Sequence, residues 1–172
     1  MMKISPLITS TLEKRYKRFL MDVTLPDGST VTAHCPNSGS MKSLVAPGNT
    51  VYVEKLDDPT KKLGYKAHFI EADNGALSCV NTNLPNQMVK EWLISGLIPE
   101  CTGFDEIKSE VKYGSEQSRI DHLLYFKDKP CFIEVKNVTL VEPDSPGVAQ
   151  FPDAVTSRGT KHLRELAAEA EK

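Results

Sequence analysis

From Phe19 to Val80 short β-branched runs alternate with turn residues, and this punctuation restricts the first half of the chain to a small all-β architecture. The run 19–25 is followed by Pro26-Asp27-Gly28-Ser29, a strong hairpin signal, and then by 30–34. Further strands are expected at 50–56 after Pro47-Gly48-Asn49, at 65–72, and at 76–80 after Asp73-Asn74-Gly75. Five short strands joined by tight turns predict a small barrel, of which the OB type is the commonest that binds nucleic acid.

After Pro85 the texture changes. Met88, Val89, Trp92, Leu93 and Leu97 recur at helical spacing and Gly96 with Pro99 marks a stop, so 86–97 reads as an amphipathic helix. The expected division is therefore 1–82 for the barrel and 83–172 for a second domain. Within the second, strand-like runs at 107–113, 119–126 and 130–138 precede a loop rich in Pro, Asp and Gly at 142–152 and a helix from about 153 to 171. That helix carries an apolar stripe at Leu163, Leu166, Ala167 and Ala170, which needs a covering element. A helix, three strands and a helix without a closing strand lead to the expectation that this domain is incomplete at its C-terminal end.

Composition excludes several classes. Forty per cent apolar and 26% charged residues are ordinary for a globular chain, and no run approaches the roughly 20 apolar residues of a membrane helix. With no apolar signal core behind the start, a cytoplasmic protein without membrane contact is expected. Cys35, Cys79, Cys101 and Cys131 form no C-x-x-C pair, which argues against zinc and redox motifs. A net charge of −2 does not look like a nucleic-acid binder, but phosphate contacts need only a local basic face. Glu13-Lys14-Arg15-Tyr16-Lys17-Arg18 puts four cations and an aromatic ring into six positions. It is either such a face or an edge strand protected by charge.

The chemistry concentrates on two strands. Asp121 lies on the 119–126 run, and Glu134 and Lys136 stand at i and i+2 on the next, with Val135 turned the other way. Hairpin-linked strands would thus present Asp, Glu and Lys together, the set that metal-assisted phosphodiester hydrolysis requires. Two carboxylates supply hard oxygen ligands for Mg²⁺ or Mn²⁺, and the lysine orients the water or offsets developing charge. The alternative is a surface ion pair on an alternating strand.

Beyond this spacing, Tyr16-Lys17-Arg18-Phe19-Leu20, the 34–41 segment beginning His34-Cys35-Pro36-Asn37, Ser109-Glu110-Val111-Lys112-Tyr113-Gly114, Ser118-Arg119-Ile120-Asp121, the 133–140 segment beginning Ile133-Glu134-Val135-Lys136 and the 151–156 segment closely resemble the motifs of the sugar fermentation stimulation protein A (SfsA) family. The resemblance spans nearly the whole chain. It implies an α+β protein with an N-terminal OB-like barrel and a PD-(D/E)xK nuclease-like α/β domain, DNA binding, and a link to sugar-metabolism genes. By matching position, Asp121, Glu134 and Lys136 inherit the nuclease-motif roles. Family members continue past the helix that here ends at Lys172.

Other candidates follow from such a fold. Glu91 on the 86–97 helix is the first choice for a further metal ligand and Glu110 the second, although an exposed helix glutamate explains Glu91 as well. Arg158, Lys161 and His162 fall near the first turns of the last helix and form a candidate DNA-phosphate face. Asn37 sits in a polar loop that serves either as a binding loop or as a turn satisfying its own backbone. Three functions remain: a DNA-binding protein with a metal-dependent nuclease-type site, a DNA-binding regulator that does not cleave, and an enzyme acting on a phosphorylated sugar or nucleotide. The sequence leaves a homo-oligomer open.

Overall fold

The computed structural model describes residues 2–72, 75–141, 148–150 and 157–171, with backbone alone at Leu140, Val141, Ala149, Gln150 and Arg158. Two compact units emerge, one of Met1–Pro85 with Asn137–Asp153 and the other of Asn86–Lys136 with Ala154–Lys172. The first crossing follows Pro85, near the expected division at 82/83, but residues 137–153, expected in the second domain, fall in the first unit.

In the first unit β1 (Leu7–Tyr16), β2 (Leu20–Thr24), β3 (Thr30–His34), β4 (Thr50–Lys55), β5 (Tyr65–Glu71) and β6 (Leu77–Cys79) lie in the order β3-β2-β1-β4-β5-β6. A parallel pairing of β3 with β5, Ala33 opposite Tyr65 and His34 opposite Lys66, closes the first five into a barrel. Strands β2 to β6 fall where the turn residues place them. Strand β1 was not among the expected five, and it pairs with β2 on one side and β4 on the other. The basic cluster 13–18 therefore belongs to a central strand and its turn, which corrects the edge-strand alternative. Inward-facing residues alternate along these strands, so Leu12, Met21, Val23, Ala33, Val51, Val53 and Ile70 are fully buried in one core. A short hairpin of β10 (Leu140–Val141) and β11 (Ala149–Gln150) also belongs to this unit, and most of the loop expected at 142–152 lies outside the described residues.

The second unit opens with α1 (Leu84–Ile94), most of which lies in it, and a 3₁₀ turn at Pro99–Cys101. Three antiparallel strands follow in sequence order, β7 (Glu106–Tyr113), β8 (Ser118–Phe126) and β9 (Lys129–Ile133). Tyr113, Ile120 and Leu123 form their core, with Phe132 and Leu166 packed against it. Strand β9 stops at Ile133 and not near 138, so Glu134 and Lys136 lie just past the ladder. Helix α2 (Ser157–Ala170) corrects the expected apolar stripe. Leu163 is 67% exposed and Ala167 and Ala170 are exposed, whereas His162 and Glu165 are buried beside half-buried Leu166. The helix thus turns an i, i+3, i+4 face to the sheet that is polar at two positions of three. Among the described residues no helix is long and apolar enough to cross a membrane.

Candidate functional site

The β8–β9 register sets the centre of the site. His122 pairs with Ile133, so Asp121 and Glu134 are the next opposing positions, on the same face and just beyond the last ladder pair. In place of a ladder partner, the N–H of Val135 donates to Asp121 Oδ2 over 2.7 Å. The other oxygen, Oδ1, accepts from Asn86 Nδ2 on α1, also over 2.7 Å. Asn86 is bound a second time, because its carbonyl faces Nε2 of His122 at 3.0 Å. The other nitrogen of that buried ring meets the Ser109 hydroxyl at 3.1 Å. One residue of α1 is therefore tied to two consecutive residues of β8.

Glu134 is held differently. Its Oε1 takes Lys136 Nζ at 2.5 Å and His162 Nδ1 at 3.0 Å, while Oε2 is buried and has no hydrogen-bond partner among the described residues. The side chain is only 13% exposed. An unpaired buried carboxylate oxygen costs free energy in a folded chain, and Oε2 of Glu165 on α2 is in the same state. The donors suit a hard divalent cation, since Asp121 and Glu134 both offer carboxylate oxygens and each keeps acceptor capacity.

The structure ties Asp121 to the 134–136 segment through the Val135 N–H and pairs Glu134 with Lys136. It does not bring Glu91 to them as a third ligand: among the described residues no cluster of three or more His, Cys, Asp or Glu side chains is placed to hold a metal. Helix α1 reaches the site through Asn86 instead, one turn nearer its start. Glu110 is exposed, with its carboxylate 3.9 Å from Arg119, and its φ of 57° puts a non-glycine residue in the left-handed region within β7. Its register position is opposite Asp121, between the pairs Ser109–His122 and Val111–Ile120.

The expected phosphate face on α2 is altered as well. His162 is buried and turned to Glu134, so its ring is not on the outer face. Lys161 donates to the Glu116 carbonyl, and Arg164 binds the Glu116 carboxylate through Nε at 3.1 Å and Nη2 at 2.5 Å. The Arg158 side chain lies outside the described residues. A cleft of about 730 Å³ lies here, lined in part by Arg119, Ser157, Thr160 and Lys161. Glu165, which no spacing or motif singles out, accepts the Glu116 N–H at 2.6 Å and lies over the tight turn between β7 and β8. Ser118 beside it, ahead of that backbone N–H, holds its carboxyl below the usual glutamate range, while its Oε2 is buried with no hydrogen-bond partner among the described residues.

In the barrel unit, Arg15 and Asn37 take structural positions. Arg15 donates to the carbonyls of Arg18 at 2.7 Å, of Asn37 and Gly39 at 2.9 Å each, and of Ser40 at 3.2 Å. Its guanidinium fork is committed to backbone and is not offered to phosphate. Asn37 is buried and its Oδ1 accepts the Gly39 N–H, so the loop is a turn that satisfies its own backbone. Lys14 pairs with Asp22 at 3.3 Å, and Asp22 is held below its ordinary range chiefly by the Thr32 hydroxyl. Lys17 and Arg18 remain exposed.

Comparison with known proteins places the chain in a family. Residues 14–80 match the family model described as the SfsA N-terminal OB domain, and residues 83–172 match the sugar fermentation stimulation protein RE domain. The chain is 52% identical to a sugar fermentation stimulation protein homolog of Geobacter metallireducens, over 94% of its own length and 68% of the relative's. The homolog of Marinomonas sp. is 51% identical over 95% and 62%, and that of Ruegeria sp. 52% over 97% and 71%. The chain thus spans about two thirds of the length of these relatives. The solved structure of Pyrococcus furiosus SfsA in complex with Ca²⁺ superposes with a TM-score of 0.79 at 28% identity, covering 97% of this chain and 68% of that one.

Proposed function

The chain belongs to the sugar fermentation stimulation protein (SfsA) family, and from that premise we propose that it is a DNA-binding protein whose Asp121–Glu134–Lys136 site holds a divalent cation, Mg²⁺ or Mn²⁺, and hydrolyses phosphodiester bonds. The observation that carries this reading is the buried, unpartnered Oε2 of Glu134 beside the Lys136 ammonium and across the register from Asp121. A relative solved in complex with Ca²⁺ supports a divalent cation in this family. Bound there, the ion supplies Lewis acidity to a phosphate and activates water. The protein's own part is positional. Asp121 and Glu134 offer the oxygens, Asn86 and His162 fix their carboxylates, and Lys136 puts a positive charge where a phosphorane-like centre gathers negative charge. The four free thiols accord with a reducing cytoplasm, where we place the chain.

A second reading, a DNA-binding regulator without cleavage, is favoured by one feature: both Asp121 oxygens already accept protein N–H donors. The two separate in DNA binding measured in chelator and then in Mg²⁺. Asp121→Asn preserves the geometry, because the Asn86 amide can flip to accept from the new amide while Val135 still donates to its oxygen. In chelator Asp121→Asn binds DNA more tightly than wild type and Lys136→Ala more weakly. In Mg²⁺ wild type gains affinity or cuts and Asp121→Asn gains little. Cation-dependent binding without strand scission establishes the regulator. If both variants bind as wild type does and Mg²⁺ only screens, the metal-site reading is wrong.

A further inference from the structure

The turn that joins β1 to β2 is built against local preference. Lys17 and Arg18 have φ values of 49° and 64°, a region that tight hairpin turns ordinarily fill with Asn or Gly. Both cations are exposed, and Phe19, which follows them, is itself 44% exposed. The backbone is held in this shape from behind, since Arg15 donates to the Arg18 carbonyl and, with the same guanidinium, to carbonyls of the 37–40 loop. The His34 ring, on the strand paired with β2, lies 6.5 Å from that of Phe19 at an interplanar angle of 30°. A strained conformation kept by a dedicated scaffold, presenting two cations and an aromatic surface to solvent, has the composition of a ligand platform.

We propose that this turn is a stacking platform for single-stranded DNA, with a base on the exposed face of Phe19 and the flanking phosphates met by Lys17 and Arg18. The inference rests on the DNA-binding reading and adds the strand class and the contact residues. Single strands fit because their bases have free faces, whereas duplex bases are covered by their neighbours and would leave Phe19 without a partner. Charge complementarity fits the backbone, and Arg15, although part of the same basic cluster, acts only as the strut.

The test uses the full chain in chelator, with fluorescence anisotropy of labelled oligothymidylate of about 12 nucleotides, within the site sizes of OB folds. An abasic strand of equal length and a hairpin duplex are the comparison probes. Phe19→Ala is expected to weaken oligothymidylate binding by about tenfold or more, to leave the abasic strand unaffected, and to be rescued by Phe19→Tyr. Lys17→Ala should weaken both single strands equally. The proposal is overturned if Phe19→Ala binds oligothymidylate as wild type does, if the abasic strand binds as tightly as oligothymidylate, or if the duplex is preferred. Those results leave DNA binding itself standing. Failure to bind any of the three probes sinks the DNA reading and the platform together, as does binding of phosphatidylserine vesicles in their place.

Discussion

Replacing Asn86 by Asp sets a second carboxylate against Asp121 and turns a stabilising contact into a metal-dependent one. In the native chain Asn86 Nδ2 donates to Asp121 Oδ1 over 2.7 Å. Loss of a hydrogen bond to a charged group costs about 1.5–3 kcal/mol. Two unit charges about 4 Å apart at an effective dielectric of about 20 repel by roughly 4 kcal/mol. Position 86 is half-buried, so the new side chain can swing toward solvent and escape most of that repulsion. The expected loss in chelator is therefore about 2–3 kcal/mol, mainly the hydrogen bond with a remnant of the repulsion. A divalent cation reverses the balance, because positions 86, 121 and 134 would then share an ion. At a hundredfold excess over its dissociation constant the ion contributes about 2.7 kcal/mol. The assay is urea denaturation of the full chain followed by Trp92, its single tryptophan, which lies on α1. Asn86→Leu is the control, destabilised like Asn86→Asp but without the additional recovery in Mn²⁺. The reasoning is refuted if Asn86→Asp is as stable as wild type in chelator, or if Mn²⁺ raises its midpoint no more than that of wild type.

Arg15→Ala should lower stability by about 2–4 kcal/mol in urea titrations, since two part-buried carbonyls lose charge-assisted donors, and Arg15→Lys should not restore it because one ammonium cannot replace the fork. By contrast, Lys17→Ala and Arg18→Ala should leave the urea midpoint nearly unchanged and each flatten the log K against log[salt] slope for single strands by about 0.7. Gly114→Ala should destabilise by at least about 1–2 kcal/mol, because φ is 68° there and a Cβ would overlap the Glu165 carboxylate. The depressed Glu165 carboxyl stabilises the fold above the ordinary glutamate pKa of about 4.3 and loses that contribution as pH falls through its lower folded value. Wild type and Glu165→Gln should therefore differ in melting temperature at pH 6 and converge as the solution is acidified below about pH 4.

The punctuated strands were readable because Pro-Asp-Gly and Pro-Gly-Asn turns act locally, and β2 to β6 follow from them. Strand β1 is masked by charge: exposed Glu13 and Lys14 on it and Lys17 and Arg18 in its turn obscure the alternation of Ser10 and Leu12 into the interior. Asp121, Glu134 and Lys136 could be paired from strand period alone. What fixes them could not, because Asn86 reaches Asp121 across 35 residues and His162 reaches Glu134 across 28. A buried face made of His162 and Glu165 violates the apolar-stripe rule, and only the positions of distant partners explain it. Arg15 is the same lesson in the barrel, since its role lies in carbonyls 22 and 24 residues away.

The bond from the Val135 N–H to Asp121 Oδ2 has a consequence for how relatives of this chain are compared. Asp121 does for the backbone what a strand carbonyl would do, so natural selection for folding alone is enough to keep an acceptor there after any cleavage has been lost. An alignment in which that aspartate persists therefore says little about catalysis. Glu134 is the informative column. One of its oxygens is buried and unpartnered among the described residues, a cost that its bonds to Lys136 and His162 offset only through the other oxygen. Under the proposed function, a glutamate kept at that position is the mark of a held ligand.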